Sequence, residues 1–294
     1  MESLNYDSMF QRNIGVVTEE QQEMIRNAGV SVIGLGGQSL NAILAVKAGF
    51  GKVKGADRDV FEYTNLNRQL LATVDAIGRK KSDIAQEVLE AHNPNAEIDC
   101  RFMNVQTVEQ AKEILKDTDF FMVAVDCPYS RVVMTRAADE LKIPYVVCAP
   151  IGWKLFMATF IPGGPTYEEY TFQPSLGKEL TEDLMPTMLN HQRCFYACSG
   201  GFFSEYVEDQ IRNKINFNSM FFTSNFLSAL CVGEIVKLAT KQGDVRVVPD
   251  IYTIDLLNGK EWNYQEVGIK CVQMREILEK EGVEAAIEYW KSIK

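Results

Sequence analysis

The stretch VSVIGLGGQSLNAILAVKAG, residues 30–49, decides the fold of this chain. Its first six residues are typical of a buried strand, and the apolar residues from about Ser39 predict a helix that stops near Gly49. Backbone N–H groups at the N-terminus of such a helix form a site for anions, and a side chain in the turn would block a phosphate. We therefore expect a phosphate to contact the glycines of this turn, which are Gly34, Gly36 and Gly37.

The glycine turn does not by itself identify the ligand. A dinucleotide fingerprint would have glycine at position 39, where this chain has Ser39. A tight turn that serves only packing is an alternative explanation for the glycines. The motifs that follow the turn have to decide between these possibilities.

Strands and helices alternate on both sides of this unit. Thr18 with Gln21, and Thr107 with Gln110, have the spacing of capping boxes that open helices. A further helix is predicted between Gly78 and the Asn93-Pro94 stop. The other predicted strands are KVKGAD (52–57), EIDCRF (97–102), DFFMVAVD (119–126) and IPYVVCAP (143–150). This alternation predicts a parallel sheet covered on both faces, with ligands at the carboxyl ends of its strands.

The pattern changes after Ile151. Residues 162–198 are rich in Pro and Gly and poor in periodicity, which predicts a long crossing loop or a partly mobile lid. The other elements predicted here are a strand in WKLFMATFI (153–161), a helix over Ser219–Lys241, two strands in VRVVPDIYTIDLLNG (245–259), and a closing helix over Val272–Lys294 interrupted at Gly282.

Composition limits the classes of function. A chain of 294 residues with 46% hydrophobic residues can bury a sizeable core. The net charge of -10 argues against a sequence-independent grip on nucleic acid, so we expect no nucleic-acid partner. Seven cysteines without a repeating spacing, and no basic-then-apolar leader, predict a cytoplasmic location without disulfides.

The longest charge-free run, residues 215–233, is a candidate for a membrane span. It contains seven Asn, Ser or Thr residues, whereas a span needs roughly 20 predominantly apolar residues. We interpret it as part of a buried core helix and expect no membrane partner.

Polar side chains follow the second predicted strand. Asp57 ends that strand, where a carboxylate accepts hydrogen bonds from ribose hydroxyls in such folds. Asn65, Arg68, Gln69 and Lys81 come after it and could donate to a polyphosphate. A triphosphate has more charge to neutralise than the one diphosphate of a nicotinamide cofactor. The set of donors therefore favours ATP.

Asp126 ends the fourth predicted strand, and we expect it to lie across the same crevice. A carboxylate there is suited to holding Mg²⁺ against phosphate oxygens. The alternative is a role as the N-cap of the helix that follows.

Five segments of the first half of the chain carry a more specific pattern. They are GLGGQS (34–39), ADRDVFEYTNLNRQL (56–70), IGRKKSDIA (77–85), HNPNAEI (92–98) and VAVDCPYSR (123–131). Their specific part is the order Asp-x-Asp, Asn-Leu-x-Arg-Gln and Gly-x-x-Lys. Together they resemble the ThiF/MoeB/HesA adenylyltransferases, the bacterial relatives of ubiquitin-activating enzymes. The similarity covers roughly Arg12 to Pro150, half of the chain.

The resemblance implies roles for these residues. Asp57, in the Asp-x-Asp with Asp59, would hold the ribose, and Asp126 would bind Mg²⁺. Lys81 would neutralise the charge of the β- and γ-phosphates. Arg12 would enter the ATP site of a partner subunit, which implies a homodimer. The remaining phosphate contacts would come from Asn65, Arg68 and Gln69.

The reaction implied by the resemblance is adenylation. A substrate carboxylate would attack the α-phosphorus of ATP, releasing pyrophosphate and forming an acyl-adenylate. A carboxylate is already ionised at neutral pH and needs no general base. We expect the carboxylate to be the C-terminus of a small ubiquitin-like or sulfur-carrier protein, or of a peptide.

The domain interpretation follows from the same resemblance. We predict an α/β fold with a Rossmann-like, doubly wound, mostly parallel sheet, a long crossing loop and a C-terminal extension of strands and helices. The chain would be one ThiF-type adenylation domain over residues 1–294. Its parts would be an N-terminal helix with the arginine (1–29), a nucleotide-binding core (30–161), the crossing-loop region (162–218), and the C-terminal helix, strands and closing helix (219–294).

Zinc is not expected, because the two CxxC pairs of many sulfur-carrier-activating relatives are missing. Cys194 and Cys198 are spaced CxxxC at the end of the predicted loop. One interpretation is an acyl-accepting thiol activated by Arg193 or His191. The other is that both are small hydrophobic residues entering the core.

Three other functions stay open. The chain could resemble the tRNA threonylcarbamoyladenosine dehydratases of the same family, although its acidic balance counts against tRNA. A non-catalytic scaffold would be expected to lose residues such as Arg12 and Asp126, which are present here. A nicotinamide oxidoreductase would explain the glycines and Asp57 but would leave the Asn-Leu-x-Arg-Gln motif without a task.

Overall fold

Seven strands form one sheet in a computed structural model that describes residues 5–213 and 217–294. The strands are β1 (Gly29–Ile33), β2 (Lys52–Asp57), β3 (Glu97–Phe102), β4 (Phe120–Val123), β5 (Tyr145–Ile151), β6 (Lys154–Phe160) and β7 (Tyr252–Asp255). Their order across the sheet is β3-β2-β1-β4-β5-β6-β7. Strands β1 to β5 are parallel, and β6 and β7 are antiparallel to their neighbours. This confirms the predicted α/β fold with a doubly wound, mostly parallel sheet.

Twelve helices surround the sheet in the described residues. They are α1 (Tyr6–Phe10), α2 (Glu19–Asn27), α3 (Leu40–Ala48), α4 (Lys81–His92), α5 (Val108–Leu115), α6 (Pro128–Leu141), α7 (Tyr167–Tyr170), α8 (Met185–Ser199), α9 (Ser204–Asn213), α10 (Phe221–Thr240), α11 (Tyr264–Lys280) and α12 (Val283–Ser292).

Both faces of the sheet are covered by an apolar core. Side chains alternate along β5, so that Val147 belongs to one buried cluster and Val146 and Cys148 belong to the other. The first cluster includes α5, α6, α8 and α11, and the second includes α3, α4 and α10. Continuous apolar strands are expected where a parallel sheet has helices on both faces.

The unit that decides the fold forms as predicted. All five residues of β1 are buried, and α3 ends at Gly49, which has the left-handed conformation. Gly34 has φ +98°, and a Cβ on it would lie 2.3 Å from the carbonyl oxygen of Ala124. A residue with a side chain therefore fits neither the conformation nor the space at this position.

The capping boxes predicted from the sequence are confirmed. The Thr18 hydroxyl accepts from the Gln21 N–H at 3.1 Å, and Thr107 accepts from Gln110 at 3.2 Å. Each box satisfies N–H groups that a helix start leaves without partners.

The prediction of an irregular loop over residues 162–198 is wrong, because this part of the chain contains α7 and α8. Met188, His191 and Phe195 are buried at helical spacing along α8, which packs on α6, α9 and α11. The polar His191 interrupts the apolar stripe of α8. Pro186, one of the prolines that made this segment resemble a loop, lies in the first turn of the helix, where proline is favoured.

The C-terminal prediction needs two corrections. Residues 245–259 contain one strand, β7, rather than two, and Val247 makes only an isolated bridge to Thr159. Pro249 follows soon after and has no N–H with which to extend a ladder. The closing helix begins at Tyr264 instead of Val272, and its predicted interruption at Gly282 is confirmed.

Among the described residues one helix, α10, has the length and apolar composition of a membrane span. It packs against α2, α3, β5 and β6, and its buried residues include Leu227, Cys231 and Ile235. This packing agrees with the prediction of a buried core helix. Two stretches lie outside the described residues. Residues 1–4 belong to the predicted N-terminal part, and residues 214–216 belong to the crossing region and include the start of the charge-free run at 215 and 216.

Candidate active site

A cavity of about 450 Å³ opens at the carboxyl ends of β1, β2, β4 and β5. This is the position expected for a ligand in an open α/β sheet. The cavity brings together most of the side chains predicted from the sequence. Those that line it are Gly34, Gly36, Gly37, Asp57, Asp59, Arg68, Gln69, Lys81 and Asp126.

The glycine turn forms one wall of the cavity. A Cβ on Gly36 would lie 3.2 Å from the Gln69 side-chain nitrogen, so this glycine lets Gln69 pack directly on the turn. Gln69 is buried, and its side-chain oxygen has no hydrogen-bond partner among residues 5–213 and 217–294. The turn and the polar loop that follows β2 are thus parts of one surface.

Asp57 is fixed in orientation by the backbone. One carboxylate oxygen accepts from the Leu35 N–H at 2.7 Å, and the other accepts from the Asp59 N–H at 2.9 Å. Burial raises the pKa of Asp57, while the nearby Lys81 ammonium and these two N–H groups act in the opposite direction. The carboxylate is therefore held firmly at the end of β2, where a ribose is expected to bind.

Lys81 is the first residue of α4, and its side chain is 7% exposed. Its ammonium lies 3.4 Å from an Asp59 carboxylate oxygen. Asp59 is exposed, so this ion pair is weak and leaves the positive charge of Lys81 available to a ligand. Arg68 donates to the Thr64 carbonyl and to the Asn67 side chain, both at 2.9 Å. Both cations border the cavity.

Two of the residues predicted to contact the nucleotide do not line the cavity. Asn65 is buried, and its side-chain oxygen accepts from the Glu62 N–H at 3.1 Å, so that it holds the loop in shape. Arg12 is exposed in the short turn Gln11–Asn13 that follows α1.

Asp126 is exposed and lines the cavity between β4 and α6. The prediction that it ends the fourth strand is wrong, because β4 ends three residues earlier at Val123. No group of three His, Cys, Asp or Glu side chains within the described ranges could hold a metal ion. A Mg²⁺ ion with one protein carboxylate and several phosphate oxygens is a usual arrangement. The residues present therefore fit Mg²⁺ that arrives with a nucleotide and not a protein-only metal centre.

Several cavity residues were not predicted from the sequence, among them three on α6 and α8. Arg131 on α6 is buried, and it donates to the Val125 carbonyl at 2.6 Å. Gln192 on α8 donates to the Asp126 carbonyl at 2.9 Å, and Tyr196 lies one turn further along. All three reach the cavity because α6 packs on β4 and α8 packs on α6. The sequence held a signal for Arg131 alone, which follows Asp126 by five residues in the segment VAVDCPYSR.

Basic side chains are in excess around the cavity. Among the residues that the structure describes there, five are Arg or Lys and three are Asp, although the whole chain has a net charge of -10. Such local concentration of positive charge attracts an anionic ligand. The basic residues are Arg58, Arg68, Lys81, Arg131 and Arg193.

Cys194 and Cys198 do not line the cavity. Both lie on α8, where Cys194 is buried and the Cys198 sulfur lies 3.7 Å from the Met274 sulfur of α11. Burial raises the pKa of the Cys194 thiol far above its usual range and that of Cys198 to about 12. Since the thiolate is the nucleophile, this environment matches the packing interpretation and not an acyl-accepting role.

Comparison with known proteins identifies relatives of this chain. The ThiF family model matches residues 10–272. The chain is 32% identical over 145 residues to the sulfur carrier protein ThiS adenylyltransferase of Bacillus subtilis, covering 48% of this chain and 43% of the relative. It is 35% identical over 131 residues to the sulfur carrier protein adenylyltransferase of Thermus thermophilus, covering 44% and 48%. The chain thus spans about half the length of the curated relatives that it matches.

Solved structures show the same fold. E. coli MccB, in a crystal structure with AMPCPP and MccA, superposes with a TM-score of 0.67 at 18% sequence identity, over 88% of this chain and 72% of that chain. PaaA superposes with a TM-score of 0.66 at 16% identity, over 89% and 84%. Because the family model matches most of its 294 residues, the chain belongs to the ThiF family.

Proposed function

We propose that this protein is an ATP-dependent adenylyltransferase that activates a carboxylate as an acyl-adenylate. One observation carries the proposal: a single cavity combines the glycine turn, the oriented Asp57 carboxylate and an excess of basic side chains. A nicotinamide cofactor would use the first two but would leave the additional charge uncompensated. The names of the relatives, which are adenylyltransferases, support the same conclusion.

Catalysis would depend on positioning and charge. Asp57 would bind the ribose, and the backbone N–H groups of the glycine turn would hold a phosphate. Arg68 and Lys81 would neutralise the charge that develops as pyrophosphate leaves. Mg²⁺ at Asp126 would screen the phosphate charge. The attacking carboxylate is ionised at neutral pH, so the chain needs to supply no base.

The substrate we propose is the C-terminus of a small carrier protein or a peptide. Two relatives are named for a sulfur carrier protein, and the MccB crystal contains MccA. The cavity continues from the phosphate wall toward α8, where Leu189, Gln192 and Tyr196 line it. A flexible C-terminal tail could enter along this side and bring its carboxylate to the α-phosphorus.

We also propose that the protein works as a homodimer in the cytoplasm. Arg12 is exposed and does not reach its own cavity, which leaves it available to the site of a second copy.

Titration calorimetry with Mg²⁺ and α,β-methylene ATP, and separately with NADH, tests the proposed function. We expect the wild type to bind the ATP analogue and not NADH. Arg68→Ala should weaken that binding about ten- to a hundredfold, because it removes a charge-assisted hydrogen bond.

Arg79→Ala is the matched control, since Arg79 is exposed, pairs with Glu87 and does not line the cavity. It should bind the analogue as the wild type does. Binding of NADH, or equal losses in the two variants, would contradict the assignment. A wild type that binds the analogue would then be screened for pyrophosphate exchange with candidate peptides.

A further inference from the structure

Unpartnered polar side chains are concentrated where α3 packs on α10. The Gln38 side-chain nitrogen and the Ser224 hydroxyl are both buried, and neither has a hydrogen-bond partner within residues 5–213 and 217–294. Both residues line the cavity. Buried polar atoms in proteins nearly always have a partner, and each exception calls for an explanation.

The orientation of Gln38 is fixed from its other end. Its side-chain oxygen lies 3.2 Å from the hydroxyl of Ser228, one turn beyond Ser224 on α10, and this hydroxyl shares its one proton between Gln38 and the Ser224 carbonyl at 3.3 Å. The side-chain nitrogen is therefore the end left for a ligand. It can only donate a hydrogen bond, so its partner must be an acceptor.

Ser224 faces the glycine turn across the cavity. A Cβ on Gly37 would lie 3.8 Å from the Ser224 hydroxyl, so the gap between the glycine turn and Ser224 has room for about one small atom. An oxygen atom bound against Gly37 would thus be within reach of Ser224. The hydroxyl can donate to it, as can the turn's N–H groups.

Ser224 also belongs to the first turn of α10, a helix of 20 residues. The N-cap residue, Met220, provides no side-chain cap. The N-terminus of a helix carries a partial positive charge and N–H groups without partners inside the helix. Ser219, just before the helix, lines the cavity together with Ser224, so this end of α10 borders the ligand space.

We propose that the first turn of α10, with Ser224 and Gln38, is a second anion subsite that faces the glycine turn and binds an anionic oxygen of the reactants. The oxygen comes either from the substrate carboxylate or from a phosphate of the nucleotide. Two helix N-termini, of α3 and α10, then hold the reacting groups from opposite sides. This inference rests on the proposed function and adds to it Ser224 and the start of α10, which lie outside the segments that carry the family resemblance.

Two probes distinguish the two sources of the oxygen. α,β-Methylene ATP with Mg²⁺ carries only phosphates, whereas 5′-O-(N-acetylglycyl)sulfamoyladenosine carries the acyl carbonyl but no phosphate. Calorimetry would measure the affinity of each for the wild type and for Ser224→Ala. A carboxylate oxygen predicts about a tenfold loss with the acyl probe and a change below about twofold with the ATP analogue. A β- or γ-phosphate oxygen predicts the reverse, whereas an α-phosphate oxygen, whose place the sulfamoyl oxygens take in the acyl probe, predicts a loss with both probes.

Thr240→Val is the matched control for Ser224→Ala. Thr240 is the last residue of α10, is equally buried, and donates to the carbonyl of Val236. It lies about 24 Å along the helix from Ser224. This control should bind both probes as the wild type does.

Thermal unfolding separates a ligand role from a structural one. Because the Ser224 hydroxyl has no hydrogen-bond partner in the described part of the chain, Ser224→Ala should leave the melting temperature of the free protein unchanged or higher. Ser228→Ala, which removes a made hydrogen bond, should lower it. A loss of probe affinity in Ser224→Ala without a loss of stability supports the subsite.

Unchanged affinity of Ser224→Ala for both probes, in a protein whose wild type binds them, would overturn the subsite and leave the proposed function intact. A wild type that binds neither probe would instead mean that the proposed function itself has failed. An affinity loss accompanied by an equal loss in Thr240→Val would also overturn the subsite, since it would reflect damage to α10.

Discussion

The His191 imidazole lies buried between α8 and α11. One ring nitrogen lies 3.0 Å from the Thr171 carbonyl, and the other lies 3.4 Å from both the Cys271 sulfur and the Arg275 guanidinium. Burial, followed by the positive charge of Arg275, lowers the pKa of His191 to about 4. The residue is therefore a neutral structural group and not a catalytic base at neutral pH.

This shift predicts a pH dependence of stability. Between pH 6.5 and pH 4 the unfolded chain protonates His191 and the folded chain does not, so stability falls as the pH falls through that window. From pH 7 to pH 5 the loss from this one residue should be about 2 kcal/mol. Urea unfolding of the wild type and of His191→Gln, at both pH values, measures it. The loss between the two pH values should be smaller in the variant by that amount, and equal losses would contradict the assigned burial effect.

The sequence located the residues that follow strands more readily than those carried on helices. Asp57, Lys81 and Asp126 could be placed at one crevice because the ends of parallel strands meet at one edge of the sheet. Arg131 and Tyr196 could not, since their approach depends on how α6 and α8 dock. Asn65 shows the converse limit: a polar residue in the right motif can serve the loop's own backbone.

Elements with local signals were predicted well. β2 and β3 have the predicted bounds, and the two capping boxes form where the spacing placed them. Helix α8 was missed because its neighbours lie on several sides, which spreads apolar and polar residues around it. A further capping box, Thr166 with Glu169 at the start of α7, was present in the sequence and was not recognised.

The end of α8 is fixed to the hairpin between β5 and β6. Substitution of Gly201 tests how close this contact is, and substitution of Gly233 in α10 serves as the contrast. A Cβ on Gly201 would lie 2.1 Å from the Ile151 carbonyl oxygen, and Lys154 donates to the Ser199 carbonyl at 2.6 Å. Gly201→Ala should therefore destabilise the protein by about 1–3 kcal/mol, because backbone must move. Gly233 lies exposed inside α10 with open space around its Cβ position.

Gly233→Ala should instead stabilise the protein by about 0.5–1 kcal/mol, since alanine has the higher helix propensity. Urea unfolding of both variants beside the wild type measures the two changes. Similar effects of the same sign would show that the close approach at Gly201 is not a feature of the folded protein.

For the whole molecule, the decisive question is whether one chain completes the site of another. Arg12 and Arg68 belong to one chain, but only Arg68 lines the cavity of that chain. If Arg12 acts in the partner's site, Arg12→Ala and Arg68→Ala should each lose most of the pyrophosphate-exchange activity. A mixed dimer of the two variants would nevertheless contain one complete site, formed by Arg68 of one chain and Arg12 of the other.

Random reassortment of equal amounts makes half of the dimers mixed, and each mixed dimer has one complete site out of two. Mixing two nearly inactive variants should therefore restore about a quarter of the wild-type activity, as the symmetry of a twofold dimer requires. The matched control mixes Arg12→Ala with the double variant that carries both substitutions, which can form no complete site. Without recovery in the first mixture, under conditions where size-exclusion chromatography confirms that subunits exchange, Arg12 does not act across a dimer. Recovery in the first mixture alone would establish that the functional unit is the pair of chains, because neither variant chain contains a complete site by itself.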